Sequence, residues 1–142
     1  MKLSNVVIDT NVLISALRSR RGASFKLLSL IGSGKFKFVL SVPVLLEYED
    51  VSIRQADEIG ISRKSVDAIL DRLCFLGDHR EIYYLWRPFL IDPKDDMILE
   101  LAVESHCDFI VSYNKKDFTG VEKFGLFVLT PKEFLVYIGE MK

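Results

Sequence analysis

A chain of 142 residues, 49% apolar and 27% charged, has the length and make-up of one domain with a buried core, which excludes disordered and collagen-like classes. With 19 basic against 20 acidic residues the net charge is −1, so nothing in the overall balance attracts nucleic acid. Two cysteines, Cys74 and Cys107, are too few for a disulfide framework and form no C-x-x-C pair, and they read as buried thiols in a reducing compartment.

In chain order, Leu3 to Ile8 is a short apolar run that reads as a buried strand. Asp9, Thr10 and Asn11 interrupt the apolar N-terminal stretch, and a basic segment (RSRRG, Arg18 to Gly22) follows where a signal peptide would carry small residues. No window reaches about 18 uninterrupted apolar residues, so no membrane span is expected and the cytoplasm is the default. Asp9-Thr10-Asn11 offers N-cap chemistry to a helix carrying Val12, Leu13, Ala16 and Leu17. Phe25, Leu27, Leu28 and Ile31 have helical spacing, ended by Gly32-Ser33-Gly34. Phe36 to Leu40 is a second strand. Ser41-Val42-Pro43 opens the next helix, and Ser62 caps another with Val66, Ile69, Leu70, Leu73 and Leu76.

Between these two helices the charge-rich part from Asp50 to Lys64 reads as the mobile or variable region. Glu81 to Trp86 reads as a strand, and the stretch through Pro88 and Pro93 as a loop. Asp95-Asp96 begins an apolar helix, Met97 to Ser105. Phe109 to Val111 is a strand, Asn114 to Phe118 a short turn or helix, and Leu126 to Leu129 a last strand. Thr130-Pro131 caps a final helix through Ile138. Strands alternating with helices predict a single α/β domain over residues 1–142, with a central, mostly parallel sheet and helices on both faces.

Ligands of such sheets bind beyond the carboxyl ends of the strands. Asp9 stands at one such end. Glu47 lies about a turn into the helix after the second strand, Asp92, Asp95 and Asp96 crowd another helix start, and Asn114 and Asp117 follow the Phe109 strand. Converging carboxylates suit a hard divalent cation, which takes oxygen ligands, whereas without a cation the acids raise one another's pKa. No G-x-x-x-x-G-K-[ST], G-x-G-x-x-G or G-x-S-x-G motif is present, and His79 and His106 lack ligand-like spacing. Each acid alone has a plainer reading: Asp9 as a helix cap, Glu47 as a solvated helix residue, Asp96 as a first-turn acid. Helical periodicity leaves Asp95 and Asp96 as rivals, since Asp95 shares a face with Ile98, Leu99 and Ala102.

Taken together, the motifs resemble those of PIN-domain nucleases, in particular toxins of toxin–antitoxin systems related to VapC. VVIDTNVLISAL (Val6 to Leu17), SVPVLLEYE (Ser41 to Glu49), DPKDDMILELA (Asp92 to Ala102) and FIVSYNKKDF (Phe109 to Phe118) are similar, in order, to that family's four motifs. VLTPKEFL (Val128 to Leu135) is similar to its last strand and helix. The resemblance implies a PIN-like fold and a divalent metal, Mg2+ or Mn2+, held by Asp9, Asp96 and Glu47, the last directly or through water. The motif match and the interval to Ser112 favour Asp96 over Asp95. Asn114 falls where many members carry Asp, which leaves a second ion open, and Asp117 is a candidate for the missing charge.

Ser112 corresponds to the small hydroxyl residue near the metal. Thr10, Asn11, Arg18, Arg20, Lys115 and Lys116 are the expected substrate-side residues. The implied activity is hydrolysis of RNA phosphodiester bonds by a toxin with a protein antitoxin, and the family pattern also implies a homodimer. Alternatives are a DNA-directed nuclease and a catalytically silent PIN-fold module for binding nucleic acid or protein. VSIRQADEIGISRK (Val51 to Lys64) departs from the smoother helical hairpin of related toxins.

Overall fold

The computed structural model describes residues 3–142. Its core is a five-stranded sheet, β1 (Asn5–Ile8), β2 (Lys37–Leu40), β3 (Asp78–His79), β4 (Phe109–Val111) and β5 (Phe127–Leu129), in spatial order β3-β2-β1-β4-β5. Every pairing is parallel; Val6, for example, lies opposite Phe38 on one side and Phe109 on the other. Consecutive Val6, Val7 and Ile8 are all buried, as are Ile110 and Val111. Because neighbours along a strand face opposite ways, this requires cover on both faces of the sheet. The expected parallel α/β architecture is present.

Among the described residues six α-helices provide the cover: α1 (Thr10–Arg18), α2 (Ala23–Ser29), α3 (Val42–Ile59), α4 (Arg63–Leu76), α5 (Pro93–Glu104) and α6 (Pro131–Tyr137). Helix α5 packs against β1, β2 and β4, and α1 packs against α2 and α3. The caps follow the sequence closely. Ser41 and Ser62 accept from Val44 N and Ser65 N, and Thr130 forms a reciprocal capping box with Glu133. No helix among the described residues is long and apolar enough to cross a membrane.

Two expectations are overturned. The stretch Val51 to Lys64 does not depart from a helical hairpin: α3 runs unbroken to Ile59, ends at Gly60, whose φ of 87° is a conformation glycine adopts without strain, and α4 follows from Arg63. The buried stripe is Val44, Tyr48, Ser52 and Ala56, four residues apart, so beyond Asp50 two small residues carry the inner face while Arg54, Asp57 and Glu58 point outward. Nor is Glu81 to Trp86 a strand; the third strand is the two-residue β3, just before it. Trp86 N–H instead donates to the Glu100 carboxylate at 2.9 Å, and the Trp86 ring stacks edge-on against Phe124. The end of this segment is thus held by a side chain of α5 and by aromatic packing, not by a strand ladder.

Candidate active site

In the order β3-β2-β1-β4-β5 the chain first builds outward from β1 to β3 and then returns to the far side of β1 with β4. The reversal lies between the carboxyl ends of β1 and β4, the position at which open α/β sheets bind ligands. Asp9 follows β1 there and Ser112 follows β4. Asp9 is the N-cap of α1: its Oδ1 accepts from Thr10 N at 2.8 Å, while its Oδ2 accepts from Ser112 Oγ at 2.7 Å. One carboxylate thus caps the helix and at the same time bonds across to the end of β4. Ser112 Oγ also accepts from Asn114 N at 3.0 Å and Asn11 Nδ2 at 3.3 Å, and Asn11 Oδ1 accepts from Tyr113 N at 3.4 Å. This network ties the loop after β4 to the first turn of α1.

Above it opens a cleft of about 430 Å³ lined by Asp9, Thr10, Asn11, Arg18, Glu47, Asp92, Lys94, Asp95, Asn114 and Asp117 among others. Glu47 enters from α3, where the neighbouring Tyr48 is buried and donates its hydroxyl proton to the carbonyl of Ile8, directly before Asp9. That bond anchors α3 at the end of β1. The acids feel one another. Burial raises the Asp9 carboxyl, the bonds from Ser112 and Thr10 oppose the rise, and the charges of Asp117 and Glu47 add to it. Burial pushes Asp95 up to about 7, helped by Asp9, Asp117, Asp92 and Asp96.

Asp96 is the expected metal ligand that the structure does not bring to the cleft. It is 1% exposed, and its Oδ1 accepts from Leu90 N at 2.9 Å and Phe89 N at 3.4 Å. One turn on, Glu100 is equally buried and accepts from Trp86 N and from the Arg87 guanidinium, at 3.1 and 2.5 Å. The two acids, four apart on one helix face, pin the segment from Trp86 to Leu90. Asp95 faces the cleft in place of Asp96. The reason is that α5 starts at Pro93 with Asp92 as its cap, and almost every side of it from Asp96 to Ala102 is buried. Apolar periodicity therefore marks no single functional face, and burial alone does not distinguish a ligand from a structural acid.

Of the expected substrate-side bases only Arg18 lines the cleft, and it is held by Gln55 Oε1 at 3.0 Å. Arg20 lines a neighbouring groove with Phe25 and Arg72; Lys115 pairs with Glu133 at 2.6 Å; Lys116 is exposed and outside the cleft lining. Lys94, a base not singled out in the sequence, reaches the cleft and stands 3.7 Å from Glu47 Oε1. Its only sequence signal is its place inside the acidic Asp92–Asp96 run.

Hard oxygen donors that raise one another's pKa fit a divalent cation in kind. Asp9, Asp95, Glu47 and Asp117 are the side chains available to it. Among the described residues no three His, Cys, Asp or Glu form a group that holds an ion by themselves. An ion here would complete its shell with water or substrate oxygens, the habit of magnesium.

In comparisons with known proteins, the family model described as PIN domain matches residues 5–116, a stretch that contains all of the cleft residues but Asp117. The fold is similar to a chain in the crystal structure of VapBC2 from Rickettsia felis bound to a DNA fragment from their promoter. The TM-score is 0.61 at 16% identity, over 87% of this chain and 98% of that one. A comparison with curated proteins found no match. A family model spanning most of the sequence, together with acids gathered at the β1/β4 reversal, identifies the chain as a member of the PIN domain family.

Proposed function

We propose that this chain is a divalent-metal-dependent endoribonuclease, using Mg2+ or Mn2+, and the toxin of a toxin–antitoxin pair. PIN domains are a family of nucleases. The observation that carries the reading is the convergence of Asp9, Glu47, Asp95 and Asp117 on one cleft, two of them with raised pKa values. A divalent ion, when bound, supplies positive charge to the phosphate and lowers the pKa of an attacking water. Water oxygen adds to phosphorus and gives up a proton, the bond to the leaving ribose oxygen breaks, and that oxygen takes up a proton.

Asp9, fixed by Ser112 and Thr10, and Asp95 orient the reacting centre; Glu47 and Asp117 close its sides; Asn114 contributes a neutral amide. Thr10, Asn11 and Arg18 face the substrate, whose phosphates position it. Ser112 acts beneath the cleft through Asp9, and Asp96 acts through the segment it pins. Arg20, Lys115 and Lys116 belong to a wider rim.

The fold shared with a chain of the Rickettsia felis VapBC2 complex supports an antitoxin partner for this chain. A homodimer and a cytoplasmic setting belong to the same reading. The test is cleavage of single-stranded and structured RNA, beside matched DNA, with and without magnesium. RNA-selective, magnesium-dependent cleavage lost in Asp9→Asn is the expected result. Cleavage unchanged in Asp9→Asn would place the active site elsewhere.

One observation favours a second reading, a catalytically silent binding module. Asp9 already has two hydrogen-bond donors and Glu47 a lysine, so parts of the cluster are satisfied without metal. Calorimetry separates the two: no manganese uptake at millimolar concentration selects the silent module.

A further inference from the structure

One cation reaches into the acidic cleft from α5. Lys94 follows Pro93 in the first helical turn, where the helix dipole favours acids and disfavours a base. Its backbone N–H serves the cap, donating to Asp92 Oδ1 at 2.9 Å. Its side chain leaves the helix and crosses to α3, ending 3.7 Å from Glu47 Oε1. The Lys94 side chain is 56% exposed and that of Glu47 only 15%, so the ammonium sits at the mouth of the cleft over a sheltered carboxylate. Arg18, the other base of the lining, is occupied by Gln55 and by Glu58 at 3.6 Å. Asp9, Asp95 and Asp117 have no salt-bridge partner among the described residues, and Asn114 brings no charge. The acids thus divide into an unpaired group, Asp9, Asp95 and Asp117, and one paired acid, Glu47.

Phosphodiester hydrolysis needs positive charge at two places, beside the attacking water and beside the leaving oxygen, and two-metal sites supply both with ions about 4 Å apart. A lysine ammonium is a compact point charge with three donors, well suited to a phosphate oxygen. We propose that Lys94 is the built-in second cation of the cleft: seated on Glu47, it takes the place of a second divalent ion and meets the substrate phosphate, so the site loads one ion on the Asp9 and Asp95 side. The proposal rests on the metal-dependent nuclease reading. Lys94 supplies charge and hydrogen bonds to the phosphate as the bond to the leaving oxygen breaks.

The test is a calorimetric titration of the metal-free chain with Mn2+, for the wild type, Lys94→Gln and Lys94→Arg. Lys94 is exposed enough for both variants to fold. The wild type and Lys94→Arg are expected to take up one ion each. Lys94→Gln is expected to take up two, the second at the vacated Glu47. Its cleavage rate then rises with the square of magnesium concentration, and at limiting magnesium falls about 100-fold below wild type, the scale of losing one charge-stabilising group. Two ions in the wild type, or a single ion in Lys94→Gln, overturns the role of Lys94 while leaving the nuclease reading in place. A wild type that binds no Mn2+ overturns the nuclease reading, and this proposal with it.

Discussion

Ser112 Oγ donates to Asp9 Oδ2 at 2.7 Å, joining the ends of β1 and β4 across 103 positions of sequence. The hydroxyl is fully buried and also accepts from Asn114 N and Asn11 Nδ2. Ser112→Ala leaves those donors and one carboxylate oxygen without their shared partner. It is expected to lower stability by about 1–3 kcal/mol, the usual penalty for orphaned buried polar groups. Asp9 then loses a bond that holds its pKa down, so its carboxyl rises further. Denaturant unfolding and carboxyl titration by NMR check both; an unchanged Asp9 titration would show that the bond does not bear on its charge.

Asp95 and Asp96 are adjacent and placed differently, Asp95 in the cleft lining and Asp96 on the amides of Phe89 and Leu90. Asp95→Asn removes charge from the cleft and is expected to abolish most metal-dependent cleavage, by 100-fold or more on the scale of one charge-stabilising group, with folding intact. Asp96→Ala strips the partners from Leu90 N and Phe89 N and is expected to cost about 1–3 kcal/mol. For a chain of this size that shifts the melting midpoint down by roughly 3–10 °C. Kinetics paired with thermal melts decide the matter: a stable, inactive Asp96→Ala beside an active Asp95→Asn reverses the assignment.

Stability without metal should depend on pH in a definite direction. The Asp95 carboxyl is raised from 3.8 to about 7 by folding. Between those values the folded chain keeps a proton that the unfolded chain has released, so stability falls as pH rises through this window. Asp9 is raised too and adds the same sign. Melting of the metal-free chain is therefore expected to be higher at pH 5 than at pH 8, with a smaller difference in Asp95→Asn. Added Mn2+ should recover most of the loss at pH 8. A midpoint that climbs steadily from pH 5 to pH 8 would contradict the raised carboxyls.

Arg87 and Glu100 form an ion pair with one member buried. The Glu100 side chain is 2% exposed, while Arg87 keeps 40% of its own in solvent. Arg87→Ala leaves Glu100 with Trp86 N as its remaining donor and is expected to cost about 2 kcal/mol, below the figure for a fully buried pair because solvent screens the arginine. Glu100→Gln paired with Arg87→Ala should cost less than the sum of the two alone. Urea unfolding of the three variants measures the coupling, and strict additivity would mean that the pair contributes no interaction of its own.

Local chemistry made much of this protein legible. Ser41, Ser62 and Thr130 cap the helices they precede because a hydroxyl satisfies amides two or three residues away, a relation wholly contained in the local sequence. The core strands read correctly because Val6, Val7 and Ile8, like Phe109 to Val111, are apolar on both faces. Asp9, Glu47, Asn114 and Asp117 were locatable because each follows a strand, or a helix start after one, at the same sheet edge.

Tertiary packing decided the rest. The inner face of α3 beyond Asp50 relies on Ser52 and Ala56, whose small size matters only once the rest of the chain packs against them, so a polar stretch concealed a helix. Glu81 to Trp86 has strand composition, yet it pairs with no strand, and its last amide, that of Trp86, goes to Glu100 on a distant helix. The choice between Asp95 and Asp96 depended on where the amides of Phe89 and Leu90 fell, and the reach of Lys94 on where α3 lay. Sequence fixes which groups a stretch offers; which of two neighbouring carboxylates faces solvent and which is claimed by backbone depends on a partner tens of residues away, and only the folded chain brings that partner near.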